Sequence, residues 1–217
     1  MHDLFSDPIN QAQTSPIVIH HGQGLVQIKH LAPSQLCLFH IQQISQYSPF
    51  RKMMTPMGHP MQAMTTNCGI YGWISDNKGY HYSEIDPEIN KHWTTIPAEF
   101  LQLHKYACEL ANIPLFNPDA CLINQYQIGQ GMGLHQDKDE MDRNSPIISI
   151  SLGLNAIFQV GGKSRKDPIK EYLLEDGDVV ILSNESRHFY HGIKPIKPNP
   201  LSPNCLFRYN LTLRKSH

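Results

Sequence analysis

Two residues with metal-binding chemistry stand close together near the middle of the chain. His135 and Asp137 are separated by one residue and follow a glycine-rich approach. In an extended segment, residues i and i+2 point to the same side, so an imidazole and a carboxylate could reach one ion. A third ligand would complete a two-histidine, one-carboxylate triad, which leaves coordination positions open and favours non-haem iron(II).

A second group of histidines, after the apolar run Val179–Leu182, offers two candidates for the third ligand. If the chain is extended there, His188 faces one side and His191 faces the other. The residues themselves leave the choice between His188 and His191 open.

The segment Phe207–Arg214 alternates strictly between apolar and polar residues. This alternation predicts an antiparallel strand, and the simplest interpretation is that its polar face is solvated. Arg208 and Arg214 on that face could instead bind a dicarboxylate, because guanidinium pairs with carboxylate through two parallel hydrogen bonds. Asn124 and Tyr126 share a face in the same way and could add neutral donors. Iron beside a dicarboxylate pocket indicates a 2-oxoglutarate-dependent oxygenase.

The elements that would position these residues are two helices and many short strands. Apolar residues recur at a spacing of three after Pro33, and Pro97 suits the first turn of a second helix that reaches Ala111. The region from Met53 to Trp93 predicts hairpins and loops with exposed aromatic side chains. Short apolar runs predict strands at Ile17–Ile19, Leu25–Ile28, Ile147–Leu154, Ala156–Val160, Tyr172–Leu174, Val179–Leu182 and Phe207–Leu213. Many short strands with turn signals favour a sandwich or jelly roll.

Composition narrows the class of protein. The chain has 217 residues, 40% of them hydrophobic and 17% charged, which is typical of a folded globular protein. The net charge of −1 excludes a broadly cationic surface, so nucleic acid could be bound only through a local patch and a specific pocket. The five cysteines are odd in number and widely spaced, which argues against a disulfide framework and favours a reducing, cytoplasmic location. We expect neither a signal peptide nor a membrane span.

Further motifs extend along nearly the whole chain. They are Asn117–Asn124, His135–Glu140, Ser149–Leu154, Asp176–Val180, Glu185–Gly192 and Arg208–Arg214, with Ser48–Arg51, Thr66–Gly69 and Tyr82–Pro87 in the front part. Together they resemble the AlkB family of alkylation-repair dioxygenases. The resemblance implies an α+β, mainly β fold: a double-stranded β-helix (jelly-roll) core with an N-terminal nucleotide-recognition lid and two supporting helices. We expect residues 1–116 to form the N-terminal extension, helices and lid, and residues 117–217 to form the Fe(II)/2-oxoglutarate dioxygenase core, within one integrated domain.

The same resemblance assigns roles to individual residues. It makes His191, rather than His188, the third iron ligand, so the catalytic and metal-binding residues are His135, Asp137 and His191. It places the co-substrate 2-oxoglutarate against Asn124, Gln125, Tyr126, Arg208, Asn210 and Arg214. It assigns substrate binding to Trp73, Tyr80, Tyr82, Asp139 and Arg165. Trp73 would stack on the damaged base opposite the ring of His135, and Asp139 would meet the polar edge of the base.

The implied activity is oxidative demethylation (dealkylation) of N-alkylated bases, with consumption of O2 and 2-oxoglutarate and release of succinate, CO2 and formaldehyde. The implied substrates are single- or double-stranded alkylated DNA, with RNA as a further candidate, and we expect a monomer. A base must leave its stack before its alkyl group can reach a buried metal, which gives the aromatic lid its purpose. Two alternatives stay open: an Fe(II)/2-oxoglutarate hydroxylase of a protein or small molecule, and a non-catalytic nucleic-acid-binding protein.

Three residues depart from the family pattern. Leu182 and His59 stand where aromatic side chains are expected, and Thr65 stands where methionine is expected. These departures concern substrate preference and lid packing rather than the reaction class.

Overall fold

A computed structural model describes residues 15–200, 202 and 204–217 of the chain. The first fourteen residues of the predicted N-terminal extension lie outside the described part. Along the chain the elements are β1 (Ile17–Gly22), β2 (Leu25–Lys29), α1 (Ser34–Tyr47), β3 (Met64–Gly69), β4 (Gly72–Asp76), β5 (Gly79–Ser83), β6 (Ile85–Asp86), β7 (Lys91–His92), α2 (Ala98–Ala111), β8 (Ala120–Gln127), β9 (Met132–His135), β10 (Ile147–Gly153), β11 (Ala156–Val160), β12 (Lys170–Leu174), β13 (Val179–Leu182), a 3-10 helix (Asn184–His188), β14 (His191–Ile193) and β15 (Phe207–Arg214).

Two antiparallel sheets form the centre of the molecule. The major sheet has seven strands in the order β1-β2-β13-β10-β15-β8-β3, and the minor sheet has four in the order β12-β11-β14-β9. Residues from both sheets, including Val180 and Leu182 of the major and Phe158 and Val160 of the minor, share one buried apolar cluster. The sheets therefore pack face to face, and the predicted mainly β jelly roll is confirmed.

The major sheet is buried on both faces. Ile148, Ile150, Leu211 and Leu213 belong to the large apolar cluster formed with the two helices. Because side chains alternate along a strand, the intervening residues of β15 face the minor sheet instead. The polar face of β15 therefore lies inside the sandwich, where Arg208 is buried, and not in solvent.

Both predicted helices are present and pack on the outer face of the major sheet. The first ends at Tyr47, directly before Ser48 and Pro49, and the second begins after Pro97. Their buried stripes include Ile41 of α1 and Phe100 of α2. No helix in the described part of the chain is long and apolar enough to cross a membrane.

The region from Met53 to Trp93 has more regular secondary structure than the sequence predicts. It contributes β3 to the edge of the major sheet and forms the separate hairpin β4–β5. The expectation of exposed aromatic side chains is wrong for Trp73 and Trp93, which are buried, although Tyr80 is 46% exposed. The Trp93 ring occupies the space beside Gly72, where a Cβ atom would approach it to 2.2 Å. Trp73 packs against Met53 and Leu122 of the adjoining core.

Candidate active site

The minor sheet brings the two histidines of the candidate metal site together. His135 is the last residue of β9, and His191, the first residue of β14, is its partner in the antiparallel register. A Cβ atom at Gly192 would lie 2.7 Å from the carbonyl oxygen of Met132, so glycine allows this close approach of the strands. Asp137 follows β9 after one residue. Local spacing thus supplies two members of the triad, and strand pairing supplies the third.

The side chains of His135, Asp137 and His191 converge on one point. Their candidate ligand atoms all lie within 4.8 Å of one another. Nε2 of His135 lies 3.8 Å from Oδ1 of Asp137, and Nε2 of His191 lies 3.6 Å from Oδ2. The three residues could therefore hold a metal ion with two imidazoles and one carboxylate, the donor set that suits non-haem iron(II).

Backbone carbonyls orient both imidazole rings. Nδ1 of His135 donates to the carbonyl of Gly133 and Nδ1 of His191 donates to that of Phe189, each at 3.0 Å. This leaves Nε2 of each ring free to face the ion. Burial, followed by the nearby His191, lowers the pKa of His135 to about 4. The ring of His135 is therefore neutral at physiological pH, as a metal ligand must be.

Asp137 is kept ionised by its surroundings. Burial by itself would raise its pKa, but Arg214 and the two histidines outweigh burial and hold the pKa well below its usual range. Nη2 of Arg214 lies 3.2 Å from Oδ2 of Asp137. Asp137 therefore presents a carboxylate to the site.

His188 has a different position. It ends the 3-10 helix, and its backbone oxygen accepts a hydrogen bond of 2.5 Å from Nε2 of Gln136. Of the two histidines that the sequence leaves open, the structure brings His191 to Asp137.

Polar side chains of β8 and β15 line the cavity beside the triad. Arg208 is only 1% exposed, and its Nη2 donates to Ser151 at 3.1 Å. Its Nε and Nη1, and Oδ1 of Asn124, have no hydrogen-bond partner among the described residues. Burial lowers the pKa of Arg208, and the Tyr126 ring lies 5.4 Å below the guanidinium. A buried cation with unused donors is costly, so the site fits a carboxylate ligand such as 2-oxoglutarate.

The remaining residues predicted to contact 2-oxoglutarate have mixed positions. Nδ2 of Asn210 lines the same wall and donates to Ser149 at 2.7 Å. The side chain of Gln125 lies on the opposite face of β8 from those of Asn124 and Tyr126. Its Nε2 donates to the hydroxyl of Tyr209 at 2.8 Å, away from the cavity. Arg214 lines the cavity, but its guanidinium forms ion pairs with Asp137 and Glu140.

A buried ionic network, not predicted from the sequence, centres on Glu140. Its carboxylate accepts hydrogen bonds from Arg187 at 3.0 Å, from Arg214 at 2.7 Å and from the hydroxyl of Tyr82 at 2.8 Å. Arg187 also donates to the backbone oxygen of Asp137 at 3.0 Å. The network thus connects the β4–β5 hairpin, through Tyr82, to the residue that carries the metal-site carboxylate.

Replacing Glu140 by glutamine is expected to destabilise the fold strongly. Arg187 and Arg214 are buried and would lose the anion that they share, at an expected cost of about 3–5 kcal/mol in the free energy of unfolding. Urea denaturation followed by circular dichroism measures this change. Glu171→Gln is the matched control, because the Glu171–Lys194 pair is exposed and should contribute little. Equal stability of the two variants would contradict the role of Glu140.

Most of the predicted substrate residues surround the outer part of the cavity, which has a volume of about 550 Å³. Trp73, Tyr80, Asp139 and Arg165 all line it. Nε1 of Trp73 donates to Oδ2 of Asp139 at 2.8 Å, and the rings of Trp73 and Tyr80 stack with centroids 5.4 Å apart. The guanidinium of Arg165 lies 5.0 Å from the centre of the Tyr190 ring. Tyr82 differs, because its hydroxyl is directed towards Glu140.

The three departures from the family pattern lie in different places. Leu182 lines the cavity and packs in the cluster that contains Phe158. Thr65 is fully buried on β3, in register with Asn124. His59 is exposed in the loop before β3. Leu182 is therefore the departure that alters the cavity wall directly.

Comparisons with known proteins agree with this geometry. The profile of the 2OG-Fe(II) oxygenase superfamily matches residues 24–214. The chain is 52% identical over 220 residues to "Alpha-ketoglutarate-dependent dioxygenase AlkB" of Escherichia coli (strain K12), which covers 100% of this chain and 98% of that protein. It is 35% identical over 126 residues to "DNA N(6)-methyladenine demethylase ALKBH1A" of Arabidopsis thaliana, covering 57% of this chain and 36% of that protein.

A solved structure extends the likeness to the fold. "The structure of OsALKBH1" superposes with a TM-score of 0.79 at 26% identity, covering 92% of this chain and 100% of that chain. The superfamily is named for Fe(II) and 2-oxoglutarate, the two groups that the triad and the unused donors of Arg208 fit. The chain belongs to the AlkB family of dioxygenases within the 2OG-Fe(II) oxygenase superfamily.

Proposed function

We propose that this protein is an oxidative demethylase (dealkylase) that repairs N-alkylated bases in DNA, and also in RNA, using Fe(II), O2 and 2-oxoglutarate. One observation carries the proposal: Trp73 and His135, the two sides of a base-stacking slot, line the same cavity as Asp137, His191 and Arg208. A cavity of about 550 Å³ is large enough for a small co-substrate and a single base. The name of the Escherichia coli relative supports the dioxygenase chemistry, and that of the Arabidopsis thaliana relative supports demethylation of DNA.

Each group of residues has a defined task in this reaction. His135, Asp137 and His191 would hold iron(II), which together with 2-oxoglutarate and O2 supplies the oxidising chemistry that hydroxylates an N-alkyl carbon. Arg208 would bind one carboxylate of 2-oxoglutarate through Nε and Nη1, which have no partner in the described part of the chain. Trp73 stacks on the extruded base, and the stacking offsets part of the free energy lost on leaving the duplex. The hydroxymethyl product then loses formaldehyde as its carbon–nitrogen bond breaks, which restores the base.

The cavity wall suits a nucleotide substrate. Oδ2 of Asp139 accepts from Trp73, and its carboxylate would accept from a donor on the base edge. Arg165 lines the cavity, and it and its exposed neighbours Lys163 and Lys166 would meet phosphates. The proposal includes single- and double-stranded DNA as substrates, a monomeric enzyme and a cytoplasmic location. All five cysteines are free, which supports a reducing compartment.

The direct test is a panel of methylated DNA and RNA oligonucleotides, incubated with anaerobically reconstituted protein, 2-oxoglutarate and air. Mass spectrometry should detect demethylated bases, and formaldehyde should appear in equal amount. Turnover of 2-oxoglutarate without any demethylation across the panel would reject the proposal. That result would favour the alternative of a protein or small-molecule hydroxylase.

Trp73→Ala is expected to impair demethylation selectively. Losing the stacking platform should lower kcat/KM for a methylated oligonucleotide by roughly tenfold or more, because base–aromatic stacking contributes about 1–3 kcal/mol. Turnover of 2-oxoglutarate without substrate should change by less than about twofold, because the hydrogen bonds of Trp73 go to Asn67 and Asp139 and not to a metal ligand. Trp73→Phe is the matched variant, since it keeps an aromatic face but loses the donor to Asp139. Its kcat/KM should lie between those of the wild type and Trp73→Ala. Unchanged kcat/KM in Trp73→Ala would contradict the platform role.

A further inference from the structure

A single buried amide holds the backbone of Trp73. Asn67 lies on β3 and is fully buried. Its Nδ2 donates to the carbonyl oxygen of Trp73 at 3.1 Å, and its Oδ1 accepts from the Trp73 N–H at 3.0 Å. The side chain therefore satisfies both backbone polar groups of Trp73 at once.

This pair of bonds replaces a missing strand partner. Among the described strands, β4 pairs with β5 alone, so the edge of β4 that faces β3 has no ladder of its own. A neighbouring strand would offer one acceptor and one donor to Trp73, and the Asn67 amide offers the same two groups. Asn67 thus joins the hairpin to the major sheet at the residue that carries the base platform.

Other contacts hold the base of the hairpin and the Trp73 ring, which packs against Met53 and Leu122, whereas the backbone of Trp73 is bonded to Asn67. Trp93 packs against Gly72, and its Nε1 donates to the carbonyl of Ser83 at 2.8 Å. At the other end of the Trp73 side chain, Nε1 is bonded to Asp139. The backbone bonds to Asn67 and the side-chain bond to Asp139 together define the plane of the indole ring.

We propose that Asn67 is a positioning residue that fixes Trp73 in its stacking orientation before nucleic acid binds. The inference rests on the proposed function of Trp73 as the base platform. A platform that is already ordered loses less conformational freedom when the base arrives, so affinity for the base is higher. The residue type is specific, because leucine would leave both backbone groups of Trp73 buried without partners.

The test compares Asn67→Leu with Thr66→Val in the full chain loaded with Fe(II) and 2-oxoglutarate, kept anaerobic for hydrogen exchange and exposed to air for the turnover assays. Thr66 is the matched control, because it is the adjacent residue of β3, is also fully buried and loses one hydrogen bond, to the Ser48 carbonyl. Hydrogen exchange measured by mass spectrometry reports the Trp73 amide. Demethylation assays report KM and kcat separately, and substrate-free 2-oxoglutarate turnover reports the metal site.

In Asn67→Leu the Trp73 amide should exchange roughly tenfold faster, and KM for a methylated oligonucleotide should rise by a similar factor, as expected for loss of one buried hydrogen bond. Substrate-free turnover should change by less than about twofold, because neither variant touches the triad. Thr66→Val should leave the Trp73 amide and KM as in the wild type. Equal effects of the two variants, or unchanged exchange and KM in Asn67→Leu, would overturn the proposal.

Two further measurements keep the test decisive. If Asn67→Leu does not fold, Asn67→Ala takes its place. The wild-type protein also tests the contact by itself, because its Trp73 amide must exchange more slowly than that of Lys78 at the hairpin tip; equal rates would reject the anchor. Failure of the wild type to demethylate any oligonucleotide would reject the proposed function, whereas the exchange measurements would still judge Asn67.

Discussion

Alanine at His191 is expected to abolish iron-dependent turnover, whereas alanine at His188 should leave most of it. His191 is buried, its Nε2 lies 3.6 Å from Asp137, and its ring is already oriented by the Phe189 carbonyl. Removing it deletes one of three metal donors, and even loss of an outer partner of a metal ligand lowers affinity by about 10–100-fold. The loss on removing a direct ligand should exceed that range.

His188→Ala is the matched control for this prediction. The contact of His188 to Gln136 uses its backbone oxygen, which alanine retains. Iron content after anaerobic reconstitution should fall in His191→Ala and stay near the wild-type level in His188→Ala. Substrate-free release of CO2 from 2-oxoglutarate should follow the iron content. The reverse pattern would move the third ligand to His188.

The two histidine assignments differ in how far the sequence could predict them. His135 and Asp137 are separated by one residue, so their i, i+2 spacing predicts that both side chains reach one point. His191 reaches them only because β14 pairs with β9, and such long-range pairing leaves no local signal. The residues by themselves therefore leave the choice between His188 and His191 open, and only the family resemblance favours His191.

The last strand shows a second limit of local patterns. The alternation along Phe207–Arg214 correctly predicted a strand with two different faces. It could not tell whether the polar face is solvated, because the cover is the minor sheet, which is formed by distant parts of the chain. The simplest interpretation, a solvated polar face, is wrong for Arg208, which is buried because the two sheets pack on each other.

The roles of other contributors to the site cannot be predicted from local sequence patterns. The segment Met64–Gly69 has few large apolar residues and was not predicted as a strand, yet pairing with β8 makes it one. Asn67 lies in the region predicted to form hairpins and loops, and Glu140 lies at the end of the motif His135–Glu140. Their importance follows from burial and from their partners, Trp73 and Arg214, and both are properties of the tertiary structure.

Arg208→Met is expected to raise the KM for 2-oxoglutarate by about a hundredfold, since removing one partner of a buried charge pair costs roughly 2–5 kcal/mol. Methionine has a similar length and no charge, so the cavity wall keeps its shape. Arg208→Lys is the matched variant, because it retains the cation but not the planar pair of donors, and it should have an intermediate KM. Initial rates of succinate formation at varied 2-oxoglutarate concentration measure the effect.

The same substitution should have the opposite effect on the protein without 2-oxoglutarate. Nε and Nη1 of Arg208 have no hydrogen-bond partner among the described residues and the residue is 1% exposed, so methionine would remove a buried cation. The Tm of Arg208→Met without 2-oxoglutarate should therefore equal or exceed that of the wild type. Addition of 2-oxoglutarate should then raise the Tm of the wild type but not that of the variant, because only a state that binds ligand is stabilised by it. If Arg208 had only a structural role, Arg208→Met would have a lower Tm than the wild type, and 2-oxoglutarate would still raise it. That outcome would remove Arg208 from the co-substrate site.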